Sequence, residues 1–355
     1  MPILKLQEDT QKIVHDPLFQ KVQLRVNHFT EDEIPSRSLT DGHIWSIGDE
    51  IGMNHVIASD WSAPGLAKHR NSALAVLTAN SVLSIWAPES DPQNINSWKR
   101  VLMINNVLRR HFREGDASVV YEPENEQNNT LHCRQRIRSF VWLHAGPEAA
   151  VPSNVLSDSH QLLAVSNDNN EIVLLRIHTP YDILSSATTA WKADMVGHFS
   201  VRDNSQNESP TFFEDFLHQN KHASNLAWCA SHPFQEGAYE GLLAYTMDSQ
   251  LRVKFISMAV DDQSIPSVVV SDVELGMNIH EPIRGPICWA PRLARSSRPI
   301  LLLFTFSDLV SISFAHARQQ VSTLARLSLD GQWDQIGGKF ISEYQFPCFK
   351  AGAKQ

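Results

Sequence analysis

One module recurs four times in this 355-residue chain, and it constrains the fold more than any other feature. A short, almost wholly apolar run is followed by a polar turn and then by a second run in which apolar and polar residues alternate. The copies open with Ala73-Leu74-Ala75-Val76-Leu77-Thr78, Leu162-Leu163-Ala164-Val165-Ser166, Leu242-Leu243-Ala244-Tyr245-Thr246 and Leu301-Leu302-Leu303-Phe304-Thr305. Their turns carry Asn, Asp or Ser. Asn and Asp suit such turns because their short side chains bond nearby backbone and tolerate the left-handed region. In the fourth copy Val310, Ile312 and Phe314 alternate with Ser311 and Ser313, the period of two that marks a strand with one wetter face. Each copy is therefore a β-hairpin. Its first strand is apolar on both faces, so the hairpin needs neighbours on both sides.

A tryptophan closes another short run upstream of every hairpin: Trp61, Trp142, Trp228 and Trp289. Trp86 stands near the end of the third strand in the first copy, and an apolar stretch from Trp98 to Ile104 supplies a fourth. Four strands per unit, with these tryptophans as a structural signature, is the plan of a WD40-like blade. A β-sandwich does not normally repeat one such module four times in the same order. The expected fold is all-β: a WD40-like β-propeller with about four full blades and a partial one, incomplete at its N-terminus. A single propeller domain is expected over residues 1–345, with blades near 59–112, 135–200, 223–280 and 284–342 and a tail at 346–355. Residues 1–58 read as a partial blade and loop, with one clear strand from Lys21 to Asn27 and an unpaired sheet edge. The units are spaced more widely than the usual ~40–45 residues. Long polar inserts at 113–130, 146–160, 201–224 and 261–282 account for the difference, and one of them carries a short helix near 210–222. Such inserts cost little closure entropy and collect on surfaces.

Composition excludes several classes. The chain is 42% hydrophobic and 19% charged, which is globular. Its 30 basic and 39 acidic side chains give a net charge of −9, unlike a protein that grips nucleic acid or anionic lipid over its whole surface. Cys133, Cys229, Cys288 and Cys348 are too scattered for a disulfide framework or a four-cysteine zinc site, and read as buried thiols in a reducing compartment. The first residues lack a secretory signal pattern, and the longest apolar run, 300–306, falls far short of the roughly 20 residues that span a bilayer. A soluble, intracellular protein is expected.

No reactive constellation stands out. His218 and His222 share a helix spacing, with Cys229 and His232 following, but a docked amphipathic insert explains them better than a zinc site does. Phosphate loops and hydrolase motifs are missing, so no cofactor, metal or catalytic residue is assigned. Basic groups occur at Lys99, Arg100, Arg109, Arg110, His111 and Arg113, at Arg134, Arg136 and Arg138, and at Arg292, Arg295 and Arg298. Without interleaved aromatics they read as solvated faces or protein contacts, the Arg134–Arg136–Arg138 alternation as one side of a strand.

The order of several blade segments resembles a known family, the propeller domain of the 90 kDa subunit of transcription factor IIIC, also called the delta domain. The resemblance rests on Trp61-Ser62-Ala63-Pro64-Gly65-Leu66-Ala67-Lys68-His69-Arg70, on Ala73–Thr78 with Ile85-Trp86-Ala87-Pro88, on Arg136-Ile137-Arg138-Ser139-Phe140-Val141-Trp142, and on Leu242–Tyr245 with Leu251-Arg252-Val253. It spans about residues 20–340. It implies a nuclear, non-enzymatic scaffold that docks other factor IIIC subunits and the polymerase III initiation machinery at tRNA-type promoters. Indirect or weak DNA contact, no membrane and no small-molecule substrate complete that expectation. The family's opening blade and the C-terminal zinc-binding domain of its longer members are not found in this sequence. Two other functions stay open: histone acetyltransferase activity within the same complex, although the acetyl-CoA loop pattern is missing, and a generic WD40 adaptor outside transcription. The expected partner contacts are Pro64, Lys68, His69 and Arg70 in one loop, and Phe212, Phe213 and Phe216 on the 201–224 insert.

Overall fold

The computed structural model describes residues 22–30, 33–34, 55–114, 126–144, 161–181, 190–201, 222–230, 238–248, 250–259, 267–273, 275, 283, 286–290, 299–305, 308–315 and 320–328. They form sixteen strands in four sheets, each a four-stranded antiparallel meander built in chain order. The first holds β1 (Val56–Trp61), β2 (Leu74–Thr78), β3 (Leu83–Pro88) and β4 (Trp98–Met103). The second holds β5 (Ile137–Trp142), β6 (Gln161–Asn167), β7 (Glu171–His178) and β8 (Lys192–Ser200). The third runs β9 (Ser224–Ala230), β10 (Ala238–Met247), β11 (Gln250–Ala259) and β12 (Ser267–Asp272). The fourth runs β13 (Ile287–Trp289), β14 (Ile300–Phe304), β15 (Asp308–Ala315) and β16 (Gln320–Ser328).

Alternation along the strands decides how the sheets stack. On β6, Leu163 and Val165 join Ala75, Leu77 and Ile85 of the first sheet in one core cluster. Their neighbours Leu162 and Ala164 point the other way and join Leu243, Tyr245 and Ile256 of the third sheet. The third sheet repeats the device, sending Leu242, Ala244 and Val253 to Leu301, Leu303, Val310 and Ile312 of the fourth. A residue step of one changes faces on a strand, so an apolar run buried on both sides serves two interfaces at once. The leading strands β1, β5, β9 and β13 neighbour one another in that order. Sheets stacked serially, with their first strands adjacent, are the blades of an all-β propeller. Two packed layers would have brought the clusters together as one core.

Turn chemistry follows the residues. Ser81, Asn170 and Asp248 sit in the hairpin turns with φ of 65°, 55° and 53°. This is the left-handed region, in which Asn and Asp lead among non-glycine residues. At the other extreme is Gly241 in β10. A Cβ there would lie 2.5 Å from the Cys229 carbonyl oxygen and against the Trp228 ring. Gly241→Ala is expected to destabilise the fold by about 2 kcal/mol through overpacking, read as a lower urea midpoint. An unchanged midpoint would mean that both the Trp228 ring and the Cys229 backbone give way at little cost.

Three features differ from the sequence expectation. The 113–130 insert is flanked by two helices, α1 (Ile104–Glu114) and α2 (Glu126–Gln135), which pack together in the crossover between the first two blades. The apolar stripe of α1, Ile104, Val107, Leu108 and Phe112, continues directly from the strand-like run that ends at Ile104, and α2 carries no comparable stripe. Next, β12 lies inside the stretch 261–282, which reads as an insert because Ser267-Val268-Val269-Val270 is so short. Finally, residues 22–30 belong to no strand ladder. Their burial nonetheless alternates, with Val22, Leu24 and Val26 half-buried and Gln23, Arg25 and Asn27 exposed. Of the expected helix near 210–222, all but its last residue lies outside the described residues.

Candidate docking loop

Antiparallel pairing places the end of β1, the start of β2, the end of β3 and the start of β4 on one rim of the first blade. That rim carries the longer connections 62–73 and 89–97, while the opposite rim carries the tight turn 79–82 and the helical crossover. The loop 62–73 is therefore lifted off the blade end and held by its own bonds. Ser62 N donates to Ala73 O at 2.8 Å, and Ala73 N returns a bond to Ser62 Oγ at 2.9 Å, closing the base. Gly65 N donates to Arg70 O at 3.1 Å, Ala67 N to Asn71 O at 2.9 Å, and Asn71 N to Lys68 O at 3.2 Å. Leu66 and Ala67 are each 1% exposed and anchor the loop in the core between the first two blades.

The tip carries unusual backbone. His69 and Arg70 both have left-handed φ, 57° and 61°, and Gly65 has φ 110°. Glycine meets such a demand freely, whereas His and Arg adopt it at a cost. Strain of this kind, of order 1–3 kcal/mol per residue, persists only where surrounding contacts over-determine it, and it clusters at functional sites. Here the contacts are the buried Leu66–Ala67 pair and the bonds across the base. Pro64, His69 and Arg70 are exposed and Lys68 is half-buried, so the loop presents a rigid basic tip. Lys68, His69 and Arg70 are thus brought together, with Pro64 across the loop. Phe212, Phe213 and Phe216 lie outside the described residues.

The tryptophans that close the leading strands link one blade to the next. Trp142 Nε1 donates to Asp60 O at 3.3 Å, and Trp228 Nε1 donates to His144 O at 3.1 Å. His144 Nε2 lies 3.1 Å from Trp61 O, beside the base of the docking loop. Burial holds the His144 imidazole below its usual pKa, against the smaller opposing effect of that hydrogen bond. Burial also raises the Asp60 carboxyl to about 6, opposed by bonds from the Trp61 and Trp142 backbone. Trp142 is 1% exposed, whereas Trp61 is 43% exposed and meets Trp98 edge-on with ring centroids 5.9 Å apart. Trp289 packs on Phe314 at 5.4 Å, and Trp86 bonds Ser84 Oγ through its indole at 3.0 Å.

The arginine row is not one strand face. Arg134 lies on α2 and Arg138 on β5, with Arg136 between them. All three reach acidic residues of the β6–β7 hairpin. Arg134 bonds Glu171 at 2.9 Å, Arg138 pairs with Asp168, and Arg136 Nε lies 2.8 Å from Asp168 Oδ2, a charge contact without hydrogen-bond alignment. Arg134 also covers the Phe112 ring at 4.6 Å. Arg134 fastens α2 to the second blade, while Arg138 pairs within it, from β5 to the β6–β7 turn. Asp168 and Glu171 were visible only as turn residues, so their pairing had no sequence signal. On the other basic group, burial and then the charges of Arg113 and Arg109 push His132 below its usual pKa. Arg292, Arg295 and Arg298 lie outside the described residues.

Of the residues weighed for zinc, His222 and Cys229 are described, while His218 and His232 are not. Among the described residues no three His, Cys, Asp or Glu side chains converge as a metal site, and no helix is long and apolar enough to cross a membrane.

Comparison with known proteins gives three results. No curated protein matches the chain. Among solved structures, the Nup133 β-propeller domain of Vanderwaltozyma polyspora aligns with 7% identity and a TM-score of 0.37. That alignment covers 78% of this chain and only 63% of that one. The family described as the transcription factor IIIC subunit delta β-propeller domain matches residues 7–346. That span takes in all four described sheets and the 62–73 loop, and the chain belongs to this family of factor IIIC propeller domains.

Proposed function

We propose that this chain is a nuclear, non-enzymatic scaffold of transcription factor IIIC. In this role it docks other subunits of the factor and helps to recruit the polymerase III machinery at tRNA-type promoters. Family membership supports the complex; the rigid basic tip of loop 62–73 supports docking and names a contact point. The observation that carries the reading is the pair of left-handed residues, His69 and Arg70, held over a buried anchor. A loop kept in that strained form presents its side chains without further ordering, which lowers the entropic cost of association.

The test uses the full chain as bait in a nuclear extract. Arg70→Glu is expected to reduce co-purified factor IIIC subunits by about tenfold, the effect of losing one interfacial arginine worth about 1.4 kcal/mol. Its melting temperature should stay within a degree or two, because Arg70 is exposed. Undiminished co-purification would remove the loop from the interface. Capture of unrelated complexes by the unaltered chain would move the protein to the wider class of propeller adaptors.

A further inference from the structure

We infer that β12, the outer strand of the third blade, pairs with β12 of a second copy of this chain about a two-fold axis at Val269. The site lies on a different blade from the docking loop and is independent of the proposed partners. Each of the four outer strands ends its meander and so presents a sheet edge. β4, β8 and β16 all meet their inner neighbours with a register shift. β4 also carries Lys99 and Arg100, and β8 carries Lys192. By contrast, β12 runs six residues against β11 in unbroken register and holds no lysine, arginine or proline. Bulges, lysines and prolines are the devices that keep a sheet edge from pairing with another chain. Among the four described outer strands, β12 alone has an unbroken ladder.

The phase of the ladder shows which groups this edge offers. Val273 N donates to Val253 O at 3.0 Å, just beyond the end of β12. Hydrogen-bonded and non-hydrogen-bonded pairs alternate in an antiparallel ladder. Counted back from Val273 in the unbroken register, Ser271, Val269 and Ser267 direct their backbone groups to β11. Val268, Val270 and Asp272 therefore direct theirs outward. The side chains divide between the two faces of the strand. Val268 packs on the second blade against Gly197. Val269 points to the opposite face and is 65% exposed, more than any other large apolar side chain among the described residues.

The residues of the edge say what fits it. Positions 267–271 read Ser-Val-Val-Val-Ser, the same in both directions. An antiparallel copy centred on Val269 sets Val268 against Val270 of the other chain, and Val270 against Val268. Both positions have outward backbone groups, so the phases match and each pair exchanges two N–H···O bonds. Val269 meets its own counterpart in a non-hydrogen-bonded pair, where side chains approach most closely, and Ser267 meets Ser271. Charge agrees with this register. Asp272, which Lys254 holds by an ion pair, is the charged residue of the strand. Its two copies fall at opposite ends of the ladder, about 20 Å apart at ~3.4 Å per residue. That exceeds the screening length of roughly 8–10 Å, so no like charges are brought together. Two strands of this length cover much less than the ~1,200–2,000 Å² of a stable interface, so the dimer is weak and depends on concentration.

The experiment is sedimentation equilibrium of the full chain between about 10 and 500 μM, the range in which a small interface associates. The expected result is a concentration-dependent shift from monomer to dimer. Val269→Lys sets like charges directly opposite each other and is expected to weaken the association about tenfold or more. Val269→Glu does the same, while a mixture of the two variants regains the dimer because opposite charges then face across the pair. Both variants should melt with the unaltered chain, since Val269 is exposed. A chain that stays monomeric throughout the range would overturn the proposal. So would a dimer that survives both substitutions, or a mixture no better associated than either variant alone. Loss of co-purified factor IIIC subunits from the Val269→Lys chain, with the unaltered chain monomeric, would overturn it in favour of another protein's strand on the same edge.

Discussion

Trp142→Ala lowers the unfolding free energy by about 4 kcal/mol, the scale of deleting a fully buried aromatic side chain. Trp142 is 1% exposed in the core between the first two blades, among Phe140, Leu163 and Ile85. It also donates its indole N–H to Asp60 O across the blade boundary. The substitution therefore removes apolar area, opens a cavity at an interface and orphans one acceptor. Urea unfolding followed by tryptophan fluorescence and by circular dichroism reads the loss, and coincident transitions check that the blades unfold together. Val269→Ala serves as the control: Val269 is 65% exposed, so its replacement should stay within about 0.5 kcal/mol. Equal effects at the two positions would mean that the serial blade packing described above does not carry the stability.

Asn105→Ala costs about 3 kcal/mol, and for a different reason. Asn105 lies at the start of α1 and is fully buried. Its Nδ2 donates to Ser81 O at 2.8 Å and Gln135 O at 2.7 Å, while its Oδ1 accepts from Leu83 N at 2.9 Å. One side chain thus ties the first hairpin turn, α1 and the end of α2 together. Removing it takes the side-chain partner from Leu83 N and Gln135 O and one of two donors from Ser81 O, and unpaired buried groups cost more than the bonds themselves contribute in water. Ile137 N also donates to Ser81 O, at 3.2 Å, so the start of β5 shares the disturbance. Amide exchange should rise at Leu83 and Ile137 together. An increase at only one of them would mean that the crossover is not a single unit.

Long-range pairing hid both Asn105 and the arginine bridge from a reading of the chain. Asn105 bonds residues 22 to 30 positions away, and Arg138 meets Asp168 at a separation of 30. In the sequence, Asn105 is one amide at the end of an apolar stretch, and Arg134-x-Arg136-x-Arg138 has the period of a strand. The helix that takes Arg134 out of that strand is recognisable only from its packing on α1 and its bonds to Glu171. The docking loop is an intermediate case. Its basic residues and its glycine are visible as a motif. The left-handed backbone at His69 and Arg70 is imposed by the anchor at Leu66 and Ala67 and by closure between Ser62 and Ala73.

Local pattern alone determined the hairpins, the turn residues in left-handed backbone and the need for a neighbour on both faces of each apolar strand. Those follow from residue size, polarity and the two-residue period, which act within a few positions. The tertiary structure decided which sheet meets which, where the helices cross, which carboxylates hold the arginines, and that β1 alone among the described leading strands is so widely exposed. These depend on groups far apart in the chain meeting at one place, and no spacing in the sequence encodes a meeting that only packing enforces.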